Sequence, residues 1–282
     1  MISIKNARKN YQDFALDISM EIPGGRVSGL VGKNGAGKST TIKLILGLIK
    51  PDEGSVSVLG RESGSLQGEE KEEIGTALAE AGFCSQFTVD DVEHILMKMY
   101  HRFDKSLFEK KCRELQIPMN KKIQEFSTGM KAKLRVLVAM THQAKLLVLD
   151  EPTAGLDIEA RNEILDMLRE YIAQDDERSI LVTSHISSDL ESLCDDIYLI
   201  HDGKIILHED TDVILDQYGI LKVSEEEYQQ IEKKYLLRTQ KEKYGYACFT
   251  AEKKFYQENY PGMVVENGGL DELILMMTGG YQ

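Results

Sequence analysis

Between Phe14 and Glu21, Phe14, Leu16, Ile18 and Met20 alternate with Ala15, Asp17, Ser19 and Glu21. That period of two predicts a strand with one face buried. Pro23-Gly24-Gly25 makes a turn, and Val27 to Val31 reads as a fully buried strand running directly into Gly32. The spacing becomes helical over Ser39 to Leu48, ends at Pro51-Asp52-Glu53-Gly54, and returns to a strand over Ser55 to Leu59. Residues 61 to 72, rich in Gly, Ser and Glu, read as a loop. From about Asp90 to Gln143 the apolar spacing is helical, through Val92, Leu96, Cys112, Leu115, Leu134 and Leu137. Leu146 to Leu149 is a short buried strand. Helix (Glu159 to Ala173), strand (Ile180 to Thr183), helix (Ser187 to Leu193) and strand (Ile197 to Ile200) follow. Asp202-Gly203 then predicts a hairpin into Ile205 to Leu207. Such alternation indicates an α/β protein with a mostly parallel, doubly wound sheet.

Past Gly219 the texture changes. Ser224-Glu225-Glu226-Glu227 opens a polar, Lys/Glu-dense stretch that reads as helical, Tyr244 to Thr250 as a strand, and Leu270 to Met277 as an amphipathic helix. The expected division is one large domain over 1–220, with a helical part at about 75–143, and a small C-terminal α+β subdomain over 221–282. The 282 residues have room for both.

Gly32-Lys33-Asn34-Gly35-Ala36-Gly37-Lys38-Ser39, with Thr40 after it, fits G-x-x-x-x-G-K-[ST] between a strand and a helix. Glycines there let backbone N–H groups face a β-phosphate, and the helix N-terminus adds positive potential. In this pattern Lys38 spans the β- and γ-phosphates and Ser39 ligates Mg²⁺. Asp150, ending the apolar strand, is placed to hold Mg²⁺. Glu151 is placed to polarise the attacking water as general base.

Downstream, Ser127-Thr128-Gly129-Met130 precedes Asp150-Glu151-Pro152, Ala154-Gly155-Leu156-Asp157 follows it, and Thr183-Ser184-His185 ends a later strand. In this order the segments, over about residues 1 to 218, resemble the ATP-binding subunit of an ABC transporter of the bacterial exporter type. The resemblance implies a P-loop NTPase fold with an N-terminal antiparallel β subdomain and a helical signature subdomain. It implies ATP and Mg²⁺, with Lys38, Glu151 and the switch His185 as catalytic residues, and Tyr11 as the aromatic that stacks on adenine. Ser127, Thr128 and Gly129 stand in the signature that meets the γ-phosphate bound by a second ATP-binding subunit, identical or not, and Asp157 stands in the D-loop. The partner it drives is a separate transmembrane permease, which places the chain in the cytoplasm, peripheral at the inner face of the membrane. Thr128 and Met130 depart from the family's Gly and Gln. The γ-phosphate-sensing glutamine falls near Ala79 or Glu80, which makes Glu80 a candidate metal-side carboxylate; Gln86 lies too close to Thr88-Val89. The residue types of Ser127-Thr128-Gly129 also satisfy an ordinary helix N-cap, and an aromatic such as Tyr11 also suits a core.

A formal net charge of −13 disfavours nucleic-acid partners. Cys84, Cys112, Cys194 and Cys248 contain no C-x-x-C pair and read as free thiols of a reducing compartment. The N-terminus has no signal-peptide pattern, and apolar runs such as Leu44 to Ile49 fall far short of the ~20 residues of a membrane helix. A competing class is an ABC-type ATPase acting on ribosomes or DNA; its usual tandem domains, basic linkers and long coiled coils are not seen. A GTPase wants N-K-x-D, and Asn120-Lys121-Lys122-Ile123 lacks the Asp.

Overall fold

The computed structural model describes residues 1–78 and 82–279. The chain opens with strands β1 (Ile2–Asn10), β2 (Ala15–Ile22) and β3 (Val27–Val31), then helix α1 (Lys38–Ile45), β4 (Glu53–Val58), β5 (Arg61–Glu62), α2 (Glu69–Glu72) and β6 (Ile74–Ala77). Helices α3 (Val89–Met99), α4 (Lys105–Glu114) and α5 (Thr128–Met140) lead to β7 (Leu146–Asp150). Next come α6 (Ile158–Ile172), β8 (Ser179–Thr183), α7 (Ser187–Leu193), β9 (Asp196–His201), β10 (Lys204–Asp210) and α8 (Thr211–Gln217). The chain continues through β11 (Gly219–Val223), α9 (Glu225–Gln230), β12 (Leu236–Glu242), β13 (Gly245–Thr250), α10 (Lys253–Asn259), β14 (Val264–Asn267) and α11 (Leu270–Met277).

The central sheet runs β10-β9-β3-β8-β7-β6. Its strands are parallel except β10, which returns antiparallel from β9 through Asp202-Gly203. Both turn residues have positive φ (44° and 74°), as a type I′ turn demands. Strand β7 shows why the middle of this sheet reads as an unbroken apolar run. Leu146 and Val148 face a core shared with β1, β2, β4 and α1, whereas Leu147 and Leu149 face a second core built on α3 to α7. A strand covered on both faces has no polar side to show.

The antiparallel sheet β2-β1-β4-β5 covers the first face. A third sheet, β12-β13-β11-β14, follows Tyr218. It has its own small core around Leu221, Cys248 and Tyr256, but Ile220, Ala247 and Phe249 join the larger core beside Leu190 and Cys194. Residues 61–72 depart from the expected loop: β5 pairs with β4, Ser63 is buried with its hydroxyl on the Leu44 carbonyl (2.9 Å), and α2 follows. The Lys/Glu-dense stretch after Ser224 departs too, being helical only over α9. Its later part, β12, is a strand because pairing with β13 places Lys241 over the Tyr246 ring and its backbone in a ladder.

All four cysteines are free thiols, three of them buried, and burial pushes the Cys112 thiol up to about 12. Among the described residues no helix is long and apolar enough to cross a membrane.

Strand β6 approaches α5 so closely that a Cβ on Gly75 would lie 2.1 Å from the Ala139 carbonyl oxygen. Gly75→Ala is therefore expected to destabilise the chain by about 1–3 kcal/mol through overpacking. The check is a lower urea midpoint at unchanged slope.

Candidate active site

Strand β3 delivers the chain into a loop over 32–37 that turns straight into α1. Gly37 has φ +117°, and a Cβ there would sit 2.7 Å from Leu16 Cδ1, so only glycine closes the loop. No side chain caps α1, which leaves its first N–H groups to receive an anion. Lys38 is 8% exposed, and its ammonium donates to the carbonyl oxygens of Gly32 (2.6 Å) and Lys33 (3.4 Å), wrapping its own loop. Burial lowers the Lys38 pKa, against the opposing pull of Glu151 and Asp150.

The loop floors a cavity of about 1020 Å³ lined by Lys33, Asn34, Gly35, Gly37, Lys38, Ser39 and Thr40. Its size lies at the upper end of ligand pockets, about 300–1,000 Å³. Asp150 and Glu151 line it too, as do Tyr11, Phe14 and Leu48. Tyr11 is exposed and stands 6.3 Å from the Phe14 ring, so it lies at the cavity rim and outside the core. Ala36 is buried behind the loop, its N–H on the Lys33 carbonyl.

Strand β7 ends at Asp150, and Glu151 turns the chain with φ +50°, a left-handed conformation that few non-glycine residues adopt. Thr183, at the end of the neighbouring β8, holds the pair. Its hydroxyl donates to Asp150 Oδ1 (2.6 Å) and accepts the Glu151 N–H (3.0 Å). The Glu151 carboxylate then accepts from His185 twice on Oε2, from Nδ1 at 2.6 Å and from the backbone N–H at 3.1 Å. A carboxylate only accepts, so Nδ1 carries the ring proton.

Asp189, on α7 and buried, ties the next segments together. It accepts from the Thr153 hydroxyl (2.6 Å), two residues past Glu151, and pairs with Arg161 on α6. Arg161 also reaches the Ser188 hydroxyl. Thr183 belongs to the Thr183-Ser184-His185 run, but Thr153, Arg161 and Asp189 carry no motif spacing that would single them out in the sequence.

Ser127, Thr128, Gly129, Asp157 and His185 do not line the cavity. Ser127 N-caps α5, accepting the Met130 N–H (3.2 Å), and Asp157 N-caps α6, accepting the Ala160 N–H (2.8 Å). The two helix starts meet where a Cβ on Gly129 would lie 3.0 Å from Ala160 Cβ. Glu80 lies outside the described residues, as does Ala79. The Gln86 amide is engaged with Gln124 (2.8 Å).

Among the described residues no group of three His, Cys, Asp or Glu side chains would hold a metal ion alone. Ser39 and Asp150 nevertheless share the cavity, and the Thr183 contact occupies only Oδ1 of Asp150. Mg²⁺ is held by one or two carboxylates together with substrate phosphates and water, and this pair fits that role.

A glycine-rich loop between a parallel strand and a helix, with paired carboxylates at the tip of a strand two places away, defines a P-loop nucleotide-binding protein. The chain belongs to the ABC transporter family, whose family model ("ABC transporter") matches residues 15–154. It is 32% identical over 202 residues to the ABC transporter ATP-binding protein YtrB of Bacillus subtilis (strain 168), covering 72% of this chain and 68% of that protein. With the lantibiotic transport ATP-binding protein SrtF of Streptococcus pyogenes it shares 31% identity, over 75% of this chain and 92% of the relative. A solved ATP-binding subunit of an ABC transporter superimposes with a TM-score of 0.67 at 26% identity, covering 77% of this chain and 92% of that one.

Removing Asp189 strands the Arg161 guanidinium and frees Thr153. Asp189→Ala is expected to cost about 2–4 kcal/mol, since breaking a largely buried pair leaves one charge uncompensated. Thermal unfolding would register the loss, and Arg161→Met in the same background should recover part of it.

Proposed function

We propose that this chain hydrolyses ATP as the motor subunit of an exporter, working at the inner face of the membrane through a separate permease. The observation that carries this reading is the Glu151–His185 contact of 2.6 Å at the wall of the loop-floored cavity. Lys38 and the α1 N–H groups hold the triphosphate, Ser39 and Asp150 hold Mg²⁺, and Tyr11 stacks on the base. When bound, Mg²⁺ neutralises charge developing on the phosphate oxygens. Glu151 takes the proton of the attacking water. His185 fixes the orientation of that carboxylate by the two hydrogen bonds to Oε2, which leaves Oε1 to face the water.

The signature works in trans on a second subunit's nucleotide. Met130 already gives its N–H to Ser127, so the contact falls to the exposed Ser127 and to the N–H groups of Thr128 and Gly129. Ile158, 76% exposed beside Asp157, supplies an apolar spot for the facing subunit. Met97 and Met99 on α3 are exposed and suit a permease contact. Tyr100 instead turns inward and stacks on the buried His142 at 4.1 Å. The transport roles in the relatives' names support coupling to a permease.

Glu151→Gln keeps the shape of the site and removes the base. Turnover should fall about 100- to 10,000-fold, while light scattering with MgATP shows a shift from monomer to dimer. A variant that binds ATP and stays monomeric would instead require a different second subunit. Lys38→Met should leave apo stability within about 1 kcal/mol yet abolish ATP binding by calorimetry; retained binding would overturn the assignment of the loop.

A further inference from the structure

Helix α11 runs between the two halves of the catalytic machinery. Its start is fixed to α7, which begins two residues after His185. The Glu191 carboxylate on α7 accepts the Leu270 N–H (2.7 Å), and the Ser187 hydroxyl donates to Asp271. Along its length Leu270, Leu273 and Met276 are buried in the larger core, the same core that takes Leu190 and Cys194. Its end reaches the phosphate loop: the Lys33 ammonium donates to the Thr278 carbonyl oxygen (3.4 Å). Beyond it, a Cβ on Gly279 would lie 3.4 Å from the Arg238 guanidinium on β12.

Lys33 also lines the nucleotide cavity. The last carbonyls of a helix have no helical partner and carry roughly half a negative charge between them. A lysine there is a cap. A triphosphate entering the cavity offers the same ammonium full negative charges at comparable reach. Both demands fall on one flexible side chain, and the long 3.4 Å contact is the weaker claim on it.

We propose that α11 is a strap that senses nucleotide: ATP draws Lys33 from the Thr278 carbonyl, the end of α11 past Met276 loosens, and the change passes through Gly279 and Arg238 to the β12 sheet. The segment over 219–279 thereby regulates the chain's own ATP site. This deepens the reading of 32–40 as a nucleotide loop and rests on it. Only the end past Met276 moves, because Leu270, Leu273 and Met276 are buried and pin the helix up to that point. By linkage the strap must weaken ATP binding by the factor with which ATP weakens the strap.

The test is hydrogen–deuterium exchange on the full wild-type chain, with and without MgATP, at concentrations where light scattering gives a monomer. The expected result is slower exchange over 32–40 together with faster exchange over 275–279. In Lys33→Met, which removes the ammonium that caps Thr278, 275–279 should exchange at the faster rate both with and without MgATP. Protection of the loop with unchanged or slower exchange over 275–279 in the wild type, or a MgATP response over 275–279 that persists in Lys33→Met, overturns the strap while leaving the nucleotide loop standing. No protection over 32–40 overturns the nucleotide reading itself, and the strap with it.

Discussion

The register of three parallel strands governs everything at the site. Thr183 on β8 lies level with Leu30 of β3 on one side and Asp150 of β7 on the other. That alignment brings the loop after β3, the carboxylates after β7 and the histidine after β8 to one edge of the sheet. It also lets one hydroxyl hold Asp150 and Glu151 at once. A slip of one residue in β7 would exchange Leu147 and Leu149 for Leu146 and Val148 on each face and turn Asp150 away from the cavity. The two cores resist that slip, because each demands a particular set of side chains from the same strand.

The site holds its geometry against local preference. Lys38 keeps an ammonium largely out of water, and Glu151 sits at φ +50°. The sign of the lysine effect is fixed by its lowered pKa: the unfolded chain binds that proton more tightly than the folded one. The burial cost is thus constant below the folded pKa and fades only as pH rises through it towards 10.5. A triphosphate against the same ammonium supplies the countercharge that burial removed, so the cost of burying Lys38 becomes selectivity for an anionic ligand.

How much of this was legible in the sequence follows from the range of each interaction. The loop over 32–40 and the Leu146–Asp150 strand were readable because local residue types alone dictate them, as was the Asp202-Gly203 hairpin. Strand β12 was not: Lys233 to Glu242 has the composition of a solvated helix, and pairing with β13 decides otherwise. The short elements over 61–72 rest on Ser63 meeting Leu44, and those residues are far apart in the chain. Asp189 was invisible for the same reason, since its partners Thr153 and Arg161 belong to other elements.

The placement of Ser127 and Asp157 has a consequence for how such a site can be switched. Each caps a helix, and the two helix starts touch at Gly129 and Ala160. Helix starts packed this tightly move as a body. On the proposed reading they face a second subunit, while the Glu151–His185 pair and Lys38 belong to the chain's own nucleotide. Asp189 joins the two sets, because Arg161 extends the helix capped by Asp157 and Thr153 extends the loop of Glu151. On the same reading, a shift of the surface at Ser127 and Asp157 reaches Glu151 through packed side chains and the two contacts of Asp189. On that reading, docking of a second subunit and positioning of the Glu151 carboxylate are one mechanical event.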